Sequence, residues 1–203
     1  MPKKAIKIKT SLTNSHYVIL PDAPTFTSVK NFEAESPYHL SAPSFFKSPA
    51  QILTMAIACV IDFSKIDPGR LDFSVKSLSI LDKDIEKFAS KNPDKIKSDD
   101  IELYVCEVGS YLGVLMESEL KHTYKYQTKW HLSYPNYQFS ALRILYTKDV
   151  QNKKVEGYFE TNPFVAVTKR IVSLLFKEAA EVTLEQYAMY VLSAADHLLI
   201  KKK

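Results

Sequence analysis

The spacing of apolar residues changes twice along this chain, and this change limits the fold class more than any other feature. From residue 48 to about residue 121, apolar residues recur every three or four positions, which is typical of amphipathic helices. From Thr128 to Glu160, β-branched and aromatic residues gather in short runs that favour strands, and after Asn162 the helical spacing returns. This order predicts an α+β fold rather than a doubly wound α/β fold. We expect helices around a small antiparallel sheet of about three to five strands.

Helix signals open five segments, which begin at residues 48, 74, 98, 162 and 183. The segments 48–51 and 183–186 are capping boxes, in which a hydroxyl and a glutamine side chain bind the free N–H groups of a first turn. Proline at the first helical position supports the starts at 48 and 162. The first three helices and the last are expected to end near Asp62, before Pro93, at Lys121 and at Ile200.

Strand signals occur in two parts of the chain. Three antiparallel strands are predicted over 128–132, 138–146 and 155–160, with 148–154 as the loop between the last two. Near the start, residues 5–9 and 16–20 fit edge or hairpin strands with a turn at 13–15.

Residues 21–48 combine four prolines with five aromatic residues. Prolines exclude a helix or a central strand, whereas aromatic side chains favour burial. We predict an extended, ordered arm, with Phe26, Phe32, Phe45 and Phe46 against helices of the domain or against a second subunit. The chain is then a single domain, with N-terminal strands and the arm over 1–48 and an α+β body over 49–203.

The sequence contains no secretory or membrane signal. The basic N-terminus is not followed by the apolar core of a signal peptide, and the apolar run 52–61 has about half the length of a bilayer span. Cys59 and Cys106 are isolated among apolar neighbours, which is typical of buried thiols. We expect a cytoplasmic protein that does not associate with a membrane.

Motifs for catalysis and cofactor binding are missing from the sequence. It contains no GxGxxG, Walker-type, GxSxG, HExxH or CxxC motif and only four glycines. The five histidines do not pair at the spacing that places two metal ligands on one helix face. The acidic pairs Asp82/Asp84 and Glu117/Glu119 point in different directions on a helix, so we interpret them as solvated surface. We therefore expect no cofactor, no metal and no catalytic residue.

The segment Gly109-Ser110-Tyr111-Leu112-Gly113 places two glycines on one face of the third predicted helix. Each glycine costs a helix about 1 kcal/mol relative to alanine, which is tolerated where another chain segment must come close. The favoured interpretation is a tight packing groove. The alternative is a flat cleft that accepts a ligand or the main chain of a partner.

Residues 121–131 alternate lysines with Tyr124, Tyr126 and Trp130. Aromatic rings beside cations are what single-stranded nucleic acid binding requires. The same pattern describes a loop and strand with buried rings and solvated lysines, and no RNA-binding motif accompanies it. Nucleic acid is therefore a minor alternative.

Short motifs between residues 70 and 178 are similar to those of one widespread group of bacterial proteins. The residues that carry the resemblance are Gly109, Tyr111, Leu112, Gly113, Trp130, Asn162, Pro163, Phe164, Val167, Lys169 and Arg170. They resemble the pattern G-x-Y-L-G-E…W…N-P-F…V-x-K-R of an uncharacterised domain of unknown function. The chain departs from it at Val114, where the pattern has an acidic residue. The resemblance implies a bacterial protein of this domain type and supplies no reaction.

Charge is unevenly distributed, and this could steer a charged partner. Residues 1–65 carry a formal charge of +3, residues 66–120 carry −5 and residues 121–203 carry +6, within a total of +4. Together with the missing catalytic motifs and the aromatic arm, this favours a non-enzymatic protein that binds another protein as an adaptor, an inhibitor or an immunity-type partner. A homodimer is a possible form of that binding.

Six residues are candidates for contact with a ligand or partner: Gly109, Tyr111, Gly113, Trp130, Arg143 and Arg170. The competing hypothesis is an enzyme or nucleotide-binding module whose site is assembled from dispersed residues such as Glu107, Tyr111, Trp130, Arg143 and Arg170. A deep pocket that gathers these side chains would favour the enzyme. An exposed apolar patch would favour the binding protein.

Overall fold

The computed structural model describes residues 6–9, 15–18, 46–66, 70–90, 98–132, 140–150, 153–175 and 182–199. In chain order the elements are β1 (Ile6–Lys9), β2 (Ser15–Val18), α1 (Pro49–Ile66), a 3-10 turn (Val75–Ser77), α2 (Leu78–Ala89), α3 (Ser98–His122), β3 (Gln127–His131), β4 (Ala141–Val150), β5 (Lys153–Thr161), α4 (Pro163–Leu175) and α5 (Leu184–Leu199). The predicted α+β class is confirmed.

Helix α3 is the centre of the body, because α1, α4, α5 and β3 all contact it. Every residue from Val105 to Met116 is buried. Because other elements cover α3 on several sides, apolar residues can occupy most of its circumference. Each large apolar side chain buried there contributes roughly 1.5–3 kcal/mol.

The three-stranded sheet has the antiparallel order β3-β4-β5. Trp130 pairs with Leu142, and Leu142 pairs with Thr161; all three are buried. Because side chains alternate along a strand, the neighbouring row of Lys129, Arg143 and Glu160 lies on the opposite face. One face of the sheet therefore packs on the helices and the other is directed away from them.

The β4–β5 hairpin is longer than predicted. The loop expected over 148–154 is wrong, since β4 continues to Val150 and β5 begins at Lys153, with Val150 paired to Lys153. The charged residues here suggested a loop, but ladder hydrogen bonds do not require apolar side chains.

Local capping fixes the starts of α4 and α5 as predicted, whereas at the capping box predicted over 48–51 Gln51 Oε1 accepts from the Lys47 N–H at 2.6 Å instead of from residue 48. Thr183 Oγ1 accepts a hydrogen bond from the Gln186 N–H at 3.2 Å, and Gln186 Oε1 accepts one from the Thr183 N–H at 3.0 Å. The capping box of α5 is thus reciprocal. Asn162 Oδ1 caps α4 by accepting from the Val165 N–H at 3.0 Å.

The predicted arm is described only at its C-terminal end. Phe46 is 1% exposed, and its ring centroid lies 5.3 Å from that of Phe164 at the start of α4. The predicted burial of Phe46 against a helix is confirmed, whereas Phe26, Phe32 and Phe45 lie outside the described residues. Among the helices that the structure describes, none has both the length and the apolar character needed to cross a bilayer.

Candidate functional site

Gly109 lets the start of α4 approach the backbone of α3. A Cβ atom at this position would lie 2.5 Å from Phe164 Cδ1 and 3.1 Å from Phe164 Cα. Real Cβ atoms essentially never show the shorter distance, so alanine at position 109 would force the Phe164 ring or the first turn of α4 to shift. The N-P-F segment therefore needs glycine at this position.

Gly113, one turn further along α3, receives the indole of Trp130. A Cβ atom there would overlap Trp130 Cη2 and lie 3.0 Å from Pro163 Cγ. The two glycines form the predicted packing groove, which is confirmed. Phe164, Pro163 and Trp130 fill it, so the alternative of a flat open cleft is wrong.

Tyr111 lies between these glycines in sequence and points into the core. Its side chain is fully buried, and its ring stacks on Phe73 with the centroids 4.4 Å apart. The phenol oxygen accepts from the Phe73 N–H at 2.7 Å and is 2.6 Å from Ser77 Oγ, which donates to the Ser74 carbonyl. The Tyr111 hydroxyl therefore donates to Ser77. Burial raises the pKa of Tyr111, so the phenol stays protonated.

This arrangement supports Phe73, whose φ of 57° lies in the left-handed region. A residue with a side chain loses roughly 1–2 kcal/mol there. Stacking on Tyr111 and the bond from the Phe73 N–H offset that cost. Tyr111 consequently sets the path of the chain into α2.

Trp130 is buried beside an acidic residue that sequence patterns assigned to solvated surface. The Trp130 Nε1–H donates to Glu117 Oε2 at 2.8 Å, and Glu117 Oε1 accepts from Thr128 Oγ1 at 3.2 Å. Lys121 Nζ lies 2.9 Å from the same Oε1. The prediction for Glu117 is wrong, because this carboxylate joins α3 to the first strand of the sheet. Glu117 lies four residues after Gly113 and therefore on the same face of α3. This spacing is the sequence feature that could have predicted its contact with Trp130.

Arg170 joins three helices through two carboxylates. Its Nε is 3.4 Å from Asp82 Oδ1, and its Nη2 donates to Glu86 Oε1 at 3.0 Å. The two oxygens of Asp82 also accept from the Leu184 N–H at 3.1 and 3.0 Å, at the first turn of α5. Burial raises the pKa of Asp82, whereas the Leu184 N–H and Arg170 act to lower it. The interpretation of Asp82 as solvated surface is wrong.

Arg143 is the one of the six candidate residues that lies on the open side of the sheet. Its Nε is 2.6 Å from Glu160 Oε2, and its guanidinium carbon lies 4.4 Å from the centroid of the Tyr158 ring. Tyr158 is 53% exposed, and Lys129 is exposed beside Arg143 on β3. We call the surface formed by Lys129, Arg143, Leu145, Tyr158 and Glu160 the outer sheet face.

The residues of the competing enzyme hypothesis do not share one set of contacts. Tyr111 binds Phe73 and Ser77, Trp130 binds Glu117, and Arg170 binds two carboxylates, as given above. Glu107 is buried on α3. Burial, with help from Glu102 and Glu107, raises the pKa of the Cys106 thiol, which makes it a poor nucleophile. Within the described ranges, no group of three or more His, Cys, Asp or Glu residues could hold a metal ion.

The segment 121–131 turns its largest ring inward. Trp130 is 7% exposed, and the hydroxyl of Tyr126 donates to the Ala195 carbonyl on α5 at 3.1 Å. Tyr124 stacks on Tyr126 with the centroids 6.2 Å apart. Lys125 and Lys129 are exposed. The rings are thus engaged with the body, while the lysines face solvent.

Five of the eleven residues that carried the resemblance meet around the first turn of α4: Gly109, Gly113, Trp130, Pro163 and Phe164. Gly109 contacts Phe164, and Gly113 contacts both Trp130 and Pro163. These five residues form one packing unit, although they come from three separate segments of the chain. Comparisons with protein-family models, with curated proteins and with solved structures found no match to this chain.

Proposed function

We propose that this protein acts by binding another protein through the outer sheet face. The observation that carries the proposal is the exposed Tyr158 ring with the Arg143 guanidinium 4.4 Å from its centroid. Tyrosine and arginine are over-represented among the residues that dominate binding energy in protein interfaces. They stand here on adjacent strands of a rigid sheet.

The Arg143 side chain is held in place before any partner arrives. Glu160, its cross-strand neighbour, fixes the guanidinium from one side, and Tyr158 supports it from below. A long side chain that is ordered in advance loses less conformational entropy on binding, about 0.5–1.5 kcal/mol per side chain. We therefore expect this arrangement to raise the affinity of the protein for its partner.

The charges of the outer sheet face indicate the chemistry of the partner. Lys129 and Arg143 form a basic half on β3 and β4, and Glu160 forms an acidic edge on β5. Leu145 and Tyr158 are paired across β4 and β5, two positions nearer the hairpin tip than Arg143 and Glu160, and form the apolar part of this face. We expect a partner that presents a carboxylate to Lys129 and an apolar or aromatic side chain to Tyr158. By binding such a partner, this protein would act as a bacterial adaptor, inhibitor or immunity-type protein.

An enzyme built from dispersed residues has less support, because Tyr111, Trp130 and Arg170 each bind different partners inside the fold. A binder of single-stranded nucleic acid through 121–131 has less support for a similar reason, since Trp130 is buried. Stacking on bases requires an accessible ring.

The proposal is tested by quantitative affinity capture from a host extract with four baits. The wild type, Tyr158→Ala, Arg143→Ala and the matched control Lys169→Ala, an exposed lysine on α4, are compared by mass spectrometry. We expect a protein that the wild type and Lys169→Ala retain and that Tyr158→Ala and Arg143→Ala lose. Calorimetry with the purified partner should give an affinity that each of these two changes lowers by about tenfold or more. A partner that binds all four baits equally would refute the role of this face.

A further inference from the structure

A second exposed surface lies on α5 and is separate from the outer sheet face. Val182 is 56% exposed, Met189 is 53% exposed and Tyr190 is 69% exposed. These three are most of the large apolar side chains that the described part of the chain exposes. Exposed apolar side chains grouped on one element mark an interaction site more often than scattered ones do.

The spacing of the exposed residues is that of a helix-packing seam. Gln186, Met189, Tyr190 and Ser193 are all exposed, and their steps of three and four residues place them on one face of the helix. Val182 lies just before the first turn of α5. We call these five residues the α5 seam; it spans roughly 17 Å at 1.5 Å per residue. The opposite side of α5 has its own buried seam, formed by Leu184, Ala188, Val191, Leu192 and Ala195. The helix can therefore pack on two sides.

The five residues of the α5 seam are uncharged, and this favours an uncharged surface as their binding partner. The chain has a net charge of +4, and a contact through these five uncharged residues sets no like charges of two copies directly against each other. A solvated helix face normally carries charged residues, and a charged partner would find no opposite charge here. Interfaces between identical subunits are more apolar than other protein interfaces. We infer that the α5 seam binds the α5 seam of a second copy of this chain.

The order of the seam residues matches itself in an antiparallel pair. In a two-fold contact, if residue i meets residue j, then j also meets i. An axis between positions 189 and 190 brings Met189 against the partner's Tyr190 and Gln186 against the partner's Ser193. The first pair is a sulfur–aromatic contact, and the second joins an amide to a hydroxyl. Antiparallel helices also oppose their dipoles favourably.

Charge pairs at position 189 test the inference by sedimentation equilibrium across the micromolar range. The wild type should be a dimer, whereas Met189→Glu and Met189→Lys alone should each raise the dimer dissociation constant by about tenfold or more, because like charges meet at the axis. An equimolar mixture of the two variants should regain the dimer, because an axis between positions 189 and 190 brings the two copies of residue 189 close together on either side of it. Circular dichroism confirms that both variants fold.

Tyr158→Glu is the matched control, since it places the same charge on the outer sheet face and should leave the dimer intact. A monomeric wild type would overturn the inference. So would a dimer that withstands both changes at position 189, or a mixture that fails to reassociate. A dimer lost only in Tyr158→Glu would assign self-association to the sheet instead. None of these results bears on the partner expected at the outer sheet face, which is tested separately by capture.

Discussion

At Gly113 the absence of a side chain is what allows Trp130 to reach α3. The indole occupies the space of the missing Cβ and comes within hydrogen-bonding distance of Glu117. A larger residue at position 113 would thus disturb a packing contact and a buried hydrogen bond together. Glycine here serves packing, because Gly113 lies inside a helix and does not have the left-handed φ that would itself require glycine.

We expect Gly113→Leu to destabilise the fold by overpacking. The loss should be about 1–3 kcal/mol and should outweigh the roughly 1 kcal/mol that a helix gains when glycine is replaced. The melting temperature should fall by roughly 2–12 °C. Trp130 is the only tryptophan of the chain, so its fluorescence emission should shift to longer wavelength as the ring is pushed towards water.

The double variant Gly113→Leu/Trp130→Ala is the control for this prediction, since it removes the ring that the leucine would strike. Its loss of stability should be smaller than the sum of the two single losses, because the clash between the leucine and the indole is present in Gly113→Leu and absent from the double variant. A Gly113→Leu protein with the melting temperature and emission of the parent would show that the contact is not tight.

Arg170 gives a second residue-scale prediction, and here pH is the variable. Arg170→Met leaves Asp82 buried without its cation, and breaking a buried pair in this way costs about 3–5 kcal/mol at neutral pH. The loss of the cation raises the pKa of Asp82 further above its unfolded value. A carboxyl with a raised folded pKa contributes stability at low pH and loses it as pH rises through that pKa. The difference between wild type and variant should therefore shrink as pH falls.

Denaturant unfolding at a series of pH values measures this difference. In the double variant Asp82→Asn/Arg170→Met, most of the pH dependence of this stability difference should be lost, because no titrating carboxyl remains at position 82. If the penalty of Arg170→Met is the same at acidic and neutral pH, then Asp82 does not depend on Arg170 for its charge.

At the scale of elements, local signals predicted what local chemistry determines. The capping box of α5 and the proline at the start of α4 depend on neighbouring residues, and each of these helices begins where the sequence indicated. The hairpin tip was missed because its strands are held by backbone pairing, which charged side chains do not oppose. Residue type alone is a weak guide in such a ribbon.

The same reasoning explains which site residues were misread. Asp82 caps a helix that begins 102 residues later in the chain, and no periodic pattern carries that information. Glu117 was assigned to solvent because its neighbour Glu119 points elsewhere, yet it meets an indole thirteen residues away on β3. The glycine groove could be predicted because the cost of two glycines in one helix requires a packing reason.

For the molecule as a whole, the buried candidates and the exposed ones have separate tasks. The buried candidates hold α3 in place: Gly109 receives Phe164 of α4, Gly113 receives Trp130 of the sheet, and Tyr111 binds the chain before α2. Arg143 and Tyr158 lie outside this framework on the opposite face of the sheet. A rigid body that carries an ordered surface pair suits a binding protein, since positions on strands are fixed more accurately than positions on loops.

Phe46, the first residue of the described range 46–66, is packed into this body. Its ring is 1% exposed and packs against Phe164, which itself fills the groove at Gly109. Phe46→Ala should therefore open a cavity at the centre of the packing unit and lower the free energy of unfolding by about 3–5 kcal/mol. Tyr190→Ala, on the exposed seam of α5, is the matched control, and we expect it to cost less than about 1 kcal/mol in the monomer.

Limited proteolysis extends this prediction to residues 21–45. Because five aromatic residues within 21–48 favour burial and four prolines reduce the entropy lost when the segment is fixed, we expect the wild type to resist cleavage there. Phe46→Ala should be cut faster, since the contact next to the arm is lost. Rapid cleavage of the wild type between residues 21 and 45, with an unchanged melting temperature of the remaining body, would mean that the arm is only a tether. Resistance that disappears on dilution would instead place those aromatic residues in contact with a second copy of the chain.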